Sequence, residues 1–216
     1  MYDNETRRKL QNIVSGTIIE GETDNCTTAR NYLCKSFITN RNVKTDFEYQ
    51  SKIKEEQAKN LDEFAKANKI LLNDLPNGAK YLSQGGEAKI YLDYDNRNVI
   101  KVNDGIYYAT WLDFLNSILI HNVLFDKTAY DLIGFIKEEN SLKVILKQAY
   151  INADWKVNLQ DVKELLNYNG FANTKNCDYY NKELGLILED IHDENVITQN
   201  SILFFIDTVF YINIID

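Results

Sequence analysis

Residues 83–102, which read SQGGEAKIYLDYDNRNVIKV, decide how the rest of the sequence is interpreted. Gly85 and Gly86 precede a β-branched run at residues 88–92, and a second such run follows at residues 98–102. Turn-forming residues separate the two runs, so the pattern predicts a β-hairpin. Paired glycines allow a backbone to lie close to a phosphate, although taken alone they are more typical of an ordinary turn.

Around this hairpin, short helices and strands follow in an order that does not fit a repeated strand–helix–strand fold. Side-chain spacing predicts helices at residues 7–14, 27–37, 46–70, 107–124 and 158–166, and strands at residues 132–137, 142–150, 184–188, 196–197 and 202–206. Pro76, the only proline, lies among turn-forming residues and marks the main boundary. The order of elements predicts an α+β fold.

Composition limits the class of protein. With 216 residues, 44% of them hydrophobic, the chain can bury a core. A net charge of -8 gives no basic surface for phosphates, so we expect no nucleic-acid partner. An acidic DNA mimic is an alternative, weakened because acids and bases are interleaved. Three separated cysteines and two histidines favour neither disulfides nor zinc, and with no long apolar stretch or leader we expect a cytoplasmic protein without a membrane partner.

A lysine in the second run is the first residue that indicates chemistry. Lys101 stands within an otherwise apolar strand. Its ammonium group must reach polar surroundings, which can be a bound ligand. Because strand residues alternate between faces, a position facing solvent explains this lysine equally well.

Acidic side chains cluster between two apolar strands later in the chain. Residues 188–197 read LEDIHDENVI, in which Asp190 and Asn195 lie five positions apart. The apolar run at residues 202–206 ends at Asp207, a position that suits a hard cation at a sheet edge. The loop could present one of Asp190 and Asn195 toward a substrate hydroxyl and the other toward a cation. The alternative interpretation is an acidic, solvated loop with a strand-capping aspartate.

Taken in order, these motifs resemble those of protein-kinase-like folds. The Gly-Gly-Glu turn at residues 85–87, the strand lysine Lys101, the Glu-Asp-Ile-His-Asp-Glu-Asn loop at residues 189–195 and Phe-Ile-Asp at residues 205–207 are similar to the minimal kinase domain of phage and mobile-element polyvalent proteins. The similarity covers roughly residues 80–210.

The resemblance implies a protein-kinase-like two-lobed fold, with a helical extension at residues 1–76, an N-terminal lobe at residues 77–150 and a truncated C-terminal lobe at residues 151–216. It also implies ATP and Mg²⁺ as cofactors. The nucleotide-binding residues would be Gly85 and Gly86 near the phosphates, Lys101 at the α- and β-phosphates, Ile90 and Val99 over adenine, and Gln148 and Tyr150 in the hinge segment 146–150.

For the second lobe, the resemblance implies a catalytic and a metal-binding set. Asp190, catalytic together with Lys101, would accept the proton of the attacking hydroxyl. Asn195 and Asp207 would hold Mg²⁺. His192 would either sense the γ-phosphate or brace the loop, and bracing is the favoured role.

The sequence also departs from the kinase pattern. Leu-Glu at residues 188–189 replaces the usual His-Arg, and Thr-Val at residues 208–209 replaces Phe-Gly. The helix after the hairpin offers no glutamate for Lys101, so Asp113 and Glu87 are both possible partners. These departures favour a kinase-like binding module without catalytic activity.

Two functions from different classes follow. The first is an ATP- and Mg²⁺-dependent phosphotransferase whose acceptor, a protein or a small molecule, is unidentified; transfer of AMP would use similar residues. The second is a catalytically inactive kinase-like binding module that acts on a host or mobile-element partner. Magnesium-dependent nucleotide binding would distinguish them.

Overall fold

The computed structural model describes residues 2–37 and 47–213. Its helices are α1 (Asn4–Val14), α2 (Asn25–Phe37), α3 (Phe47–Ala67), α4 (Trp111–Leu124) and α5 (Leu159–Tyr168), with a 3₁₀ helix at Asp126–Thr128. Its strands are β1 (Lys80–Gln84), β2 (Ala88–Leu92), β3 (Asn98–Asn103), β4 (Asp131–Glu138), β5 (Ser141–Ala149), β6 (Ala172–Lys175), β7 (Asp178–Asn181), β8 (Leu186–Glu189), β9 (Val196–Gln199), β10 (Ile202–Phe205) and β11 (Val209–Ile212). These strands pair antiparallel, which confirms the mixed α and β class.

The chain forms two compact units. The sheet unit consists of Ile18–Leu115 and Tyr130–Tyr150, and the loop unit of Met1–Thr17, Asn116–Ala129 and Ile151–Asp216. Helices α2 and α3 therefore belong to the same unit as the large sheet, while the division at residue 76 stays a prediction. Within the described ranges 2–37 and 47–213, no helix has the length and apolar composition that crossing a membrane requires.

The sheet unit is built on five strands in the order β1-β2-β3-β5-β4. Successive side chains of each strand project to opposite faces. One face carries a buried aliphatic cluster, with the segment that follows α3 packed against it. The cluster and its cover are Ile100, Val102, Ile136 and Ile145, with Leu72 and Leu75. The other face carries Lys101.

Helix α4 begins at Trp111, four residues later than the helix predicted from residue 107. Gly105 has a φ of 61°, which turns the chain away from helical geometry. Thr110 then caps the helix: its hydroxyl accepts from the Asp113 amide at 3.1 Å and donates to the Asp113 carboxylate at 2.7 Å. Local turn and cap chemistry, which apolar spacing does not reveal, sets this helix start.

The loop unit contains two small antiparallel sheets, β11-β8-β7-β6 and β10-β9. Val209 at the start of β11 lies opposite Glu189 at the end of β8. Phe205 at the end of β10 lies opposite Val196 at the start of β9. Residues 190–195 connect the end of β8 to the start of β9, and residues 206–208 connect the end of β10 to the start of β11. Both connections therefore run between the same two places where strand ends are paired.

Candidate functional site

Several residues predicted to bind a nucleotide share one face of the large sheet. Lys101 lies opposite Ile90 on β2 and opposite Leu146 on β5. Val99 lies opposite Gln148. Because directly opposed residues of antiparallel strands project to the same side, the structure brings Ile90, Val99, Lys101 and Gln148 together on one face.

Lys101 is a buried cation on this face. Its side chain is only 4% exposed, and its Nζ lies 5.3 Å from the centroid of the Tyr130 ring. An ammonium over an aromatic face is stabilised by the ring quadrupole. Of the two carboxylates considered as partners, Asp113 hydrogen-bonds Thr110, and burial raises its pKa despite those bonds.

The glycine turn is shaped by a tyrosine. The Gly85 N–H donates to the Ala88 carbonyl at 2.9 Å and closes the β1–β2 hairpin. Neither glycine of the turn has a positive φ. A Cβ at Gly86 would overlap the Tyr107 hydroxyl oxygen, so the phenol occupies the space that a side chain would need. No residue pattern predicts this contact, because it joins residues separated by all of β2 and β3.

The side chains around the turn carry both signs of charge. They line a cavity of about 250 Å³ that includes four acids and two lysines, namely Glu87, Asp104, Glu138, Glu139, Lys89 and Lys143. Lys89 pairs with Glu138 at 2.8 Å, and Lys143 pairs with Asp104 at 3.1 Å. Because the acids outnumber the lysines here, a phosphate in this cavity would depend on backbone N–H groups. Lys101 does not line the cavity, since Val102, which does, projects to the opposite face of the sheet.

The segment predicted as a hinge, residues 146–150, includes the last residues of β5. Gln148 is 2% exposed, whereas Tyr150 is 40% exposed. The Tyr150 N–H donates to the Arg97 carbonyl at 2.8 Å. This amide is engaged within the sheet unit, so at Tyr150 the carbonyl is the main-chain group that could serve an adenine edge.

In the loop unit, Asn195 holds the acidic loop together. Its Nδ2 donates to the Asp190 carbonyl at 2.8 Å and to Asp190 Oδ2 at 3.1 Å. The backbone carbonyl of Asn195 accepts from the Ile206 N–H at 3.0 Å, and Ile206 directly precedes Asp207. The structure therefore brings Asp190, Asn195 and the residue before Asp207 together.

Asp190 has an unusual backbone conformation. Its φ of 65° lies in the left-handed region, which residues other than glycine seldom adopt, although aspartate does so more than most. The neighbouring turn holds it there: Asp178 Oδ1 accepts from the Asp190 N–H at 3.3 Å, and the Cys177 carbonyl accepts from the Ile191 N–H at 3.0 Å. Such backbone strain is often found at functional positions.

His192 braces the loop from within. Its Nδ1 accepts from the Glu194 N–H at 3.2 Å, and its Nε2 lies 3.3 Å from Asp190 Oδ1. One bracing contact is thus with a backbone amide of the same loop. A ring that accepts at Nδ1 carries its proton at Nε2 when neutral, which suits donation to the carboxylate.

The chemistry of this loop fits a hard cation. The side-chain nitrogen of Asn195 is engaged with Asp190, so Oδ1 is the Asn195 atom that could bind a metal. The carboxylate of Asp207 could be a second ligand. In the part of the chain that the structure describes, no three His, Cys, Asp or Glu side chains are placed to hold a metal by themselves. Mg²⁺ does not need three, because it is usually held by one or two protein oxygens with phosphates and water.

Comparison with known proteins defines the class. The motif order and the antiparallel sheet bearing a buried lysine indicate a kinase-like domain. A family model described as serine/threonine/tyrosine kinase found in polyvalent proteins matches residues 54–214, well over half of the chain, and this chain belongs to that family. The match begins inside α3, earlier than the motifs indicated. A search of curated proteins found no match.

Proposed function

We propose that this chain is an ATP- and Mg²⁺-dependent phosphotransferase with a kinase-like two-lobed fold, acting on a hydroxyl of a protein or small molecule. The observation that carries the proposal is the contact set of Asn195, which bonds both the backbone and the side chain of Asp190 and accepts from the amide before Asp207. Family membership supports the same reaction class.

In this reaction the acceptor oxygen attacks the γ-phosphorus, the bond from that phosphorus to the β–γ bridging oxygen breaks, and ADP leaves. Asp190 would orient the acceptor and take its proton. Lys101, a compact charge held on a rigid strand, would bind the α- and β-phosphates. Ile90 and Val99 would contact the adenine.

Asn195 and Asp207 are the residues that would hold magnesium. When bound, the cation would offset the charge of the phosphate oxygens. The chain itself supplies orientation: the bonds from Asn195 to Asp190 keep the base and the amide ligand at a fixed separation. Little covalent chemistry is then required of the protein.

Calorimetric titration of ATP with and without Mg²⁺ tests the proposal. We expect Mg²⁺ to strengthen ATP binding to the unsubstituted protein and Asp207→Ala to abolish that gain. Lys101→Met should weaken ATP binding under both conditions. Asp193→Asn is the matched control, since Asp193 lies in the same acidic loop but pairs with Lys156 at 3.0 Å; it should retain the gain.

Either of two results would count against the proposal. If the unsubstituted protein binds no ATP, the nucleotide mechanism is wrong and a kinase-shaped binding module is left. If ATP binds equally well with and without Mg²⁺, the metal site is wrong. Release of pyrophosphate in place of ADP, once an acceptor is found, would identify nucleotidyl transfer instead.

A further inference from the structure

A fully buried histidine on α4 lies beside the segment that carries Asp207. His121 is 0% exposed, and both ring nitrogens have partners. Nδ1 lies 2.8 Å from the Thr208 hydroxyl oxygen, and Nε2 lies 2.9 Å from the Thr128 carbonyl oxygen. His121 thus joins the residue after Asp207 to the 3₁₀ helix.

The partners fix the direction of these hydrogen bonds. The Thr128 carbonyl can only accept, so Nε2 carries the proton and donates. In the neutral ring Nδ1 then accepts, and the Thr208 hydroxyl donates to it. Thr208 therefore needs a hydroxyl at this position, and its methyl group cannot substitute for it.

The residues before Asp207 are held from the same side. The Thr128 hydroxyl donates to the Phe205 carbonyl at 2.6 Å. The Phe125 ring stacks on Phe205 with centroids 4.2 Å apart and planes 14° apart. The chain is therefore held two residues before Asp207 and one residue after it, all by groups from residues 121–128.

From this geometry we infer that His121, Thr128 and Thr208 are positioning residues for Asp207, and that they set how tightly the nucleotide-bound Mg²⁺ is held. The inference rests on the proposed function. A buried hydroxyl–imidazole bond next to a metal-binding carboxylate restricts the backbone from which that carboxylate projects. Loss of the bond leaves the carboxylate present but less well oriented.

The test uses Thr208→Val, which removes the hydroxyl at nearly constant shape, and Thr208→Ser, which keeps it. ATP affinity is titrated against Mg²⁺ concentration in the full chain. We expect Thr208→Val to raise the Mg²⁺ concentration for half-maximal enhancement about tenfold. Its ATP affinity without Mg²⁺ should be unchanged, and Thr208→Ser should behave like the unsubstituted protein.

Ser117→Ala is the matched structural control. Ser117 Oγ, also on α4, accepts from the Phe210 N–H at 2.9 Å in a buried bond to the same segment, but three residues beyond Asp207. We expect this variant to lower the melting temperature about as much as Thr208→Val while leaving the Mg²⁺ requirement unchanged. Equal Mg²⁺ requirements for Thr208→Val and Ser117→Ala, or failure of Thr208→Ser to restore the low requirement, would overturn the inference alone. If ATP binding by the unsubstituted protein does not depend on Mg²⁺, the proposed function is wrong, and this inference fails with it.

Discussion

Gly134 on β4 lies against the chain segment that follows α3. A Cβ at this position would lie 2.6 Å from the Ile70 carbonyl oxygen and 3.0 Å from Leu72 Cγ. The Ile70 oxygen accepts from the Phe135 N–H at 2.8 Å, so the backbone cannot retreat without losing that bond. We expect Gly134→Ala to lower the free energy of unfolding by about 2–3 kcal/mol in chemical denaturation.

Gly85→Ala is the control for this prediction. A Cβ at Gly85 would meet nothing nearer than the Ala88 carbonyl oxygen at 4.0 Å, and its φ is not positive. The substitution should therefore change the free energy of unfolding by no more than about 0.5 kcal/mol. Equal losses for the two variants would contradict the close approach at Gly134.

At the scale of elements, α3 is a structural part of the sheet unit. Lys54 Nζ donates to the carbonyls of Gly105 and Tyr108 at 2.6 and 2.7 Å. Gln57, 2% exposed, accepts from the Leu112 N–H at 3.0 Å and so caps the first turn of α4. The family match begins at residue 54 and so includes both Lys54 and Gln57.

Gln57→Leu tests this role of α3. The substitution leaves the Leu112 N–H without its acceptor, and we expect the free energy of unfolding to fall by about 1–3 kcal/mol. Glu56→Leu, at an exposed position of the same helix, controls for the introduced leucine. A loss as large in the Glu56 variant would show that the cap contributes nothing.

Prediction from sequence succeeded best for elements whose signals are local. Asn158, the first residue of the helix predicted at residues 158–166, accepts from the Gln160 N–H at 3.0 Å and caps α5. The hairpin of β2 and β3 lies at the predicted residues, because Asp95 Oδ1 accepts from the Arg97 and Asn98 amides within the turn. Strands β1, β6, β7 and β11 were not predicted. They are four or five residues each, too short for a clear alternation pattern, and β1, β6 and β7 are rich in polar residues.

At the scale of the whole molecule, the free energy of unfolding should depend on pH through two aspartates, Asp113 and Asp95, which act in opposite directions. Burial raises the pKa of Asp113 above 3.8. Hydrogen bonds from the Arg97 backbone and the Asn98 side chain lower the pKa of Asp95 to about 2. A raised native pKa contributes stability that is lost as the pH rises through it, whereas a lowered one contributes stability that is lost as the pH falls through it.

Replacement by asparagine should separate the two effects. Relative to the unsubstituted protein, Asp113→Asn should gain stability as the pH rises above 3.8. Asp95→Asn should be the less stable protein at neutral pH, and the difference should shrink as the pH falls toward 2. Urea denaturation across this range measures both. Differences of the same sign for the two variants would show that one of these environments is wrongly described.

The sequence by itself determined the α+β class, the hairpin that carries Lys101 and the identity of Asp190, Asn195 and Asp207 as a motif. Each of these depends on residue types a few positions apart, and such patterns act through local turns, caps and alternation. Only the tertiary structure decided that Tyr107 covers Gly86 and that His121 holds Thr208 beside Asp207. Those contacts join residues distant in sequence, so they depend on strand register and on the packing of a helix against a loop, neither of which a single sequence encodes in a readable period.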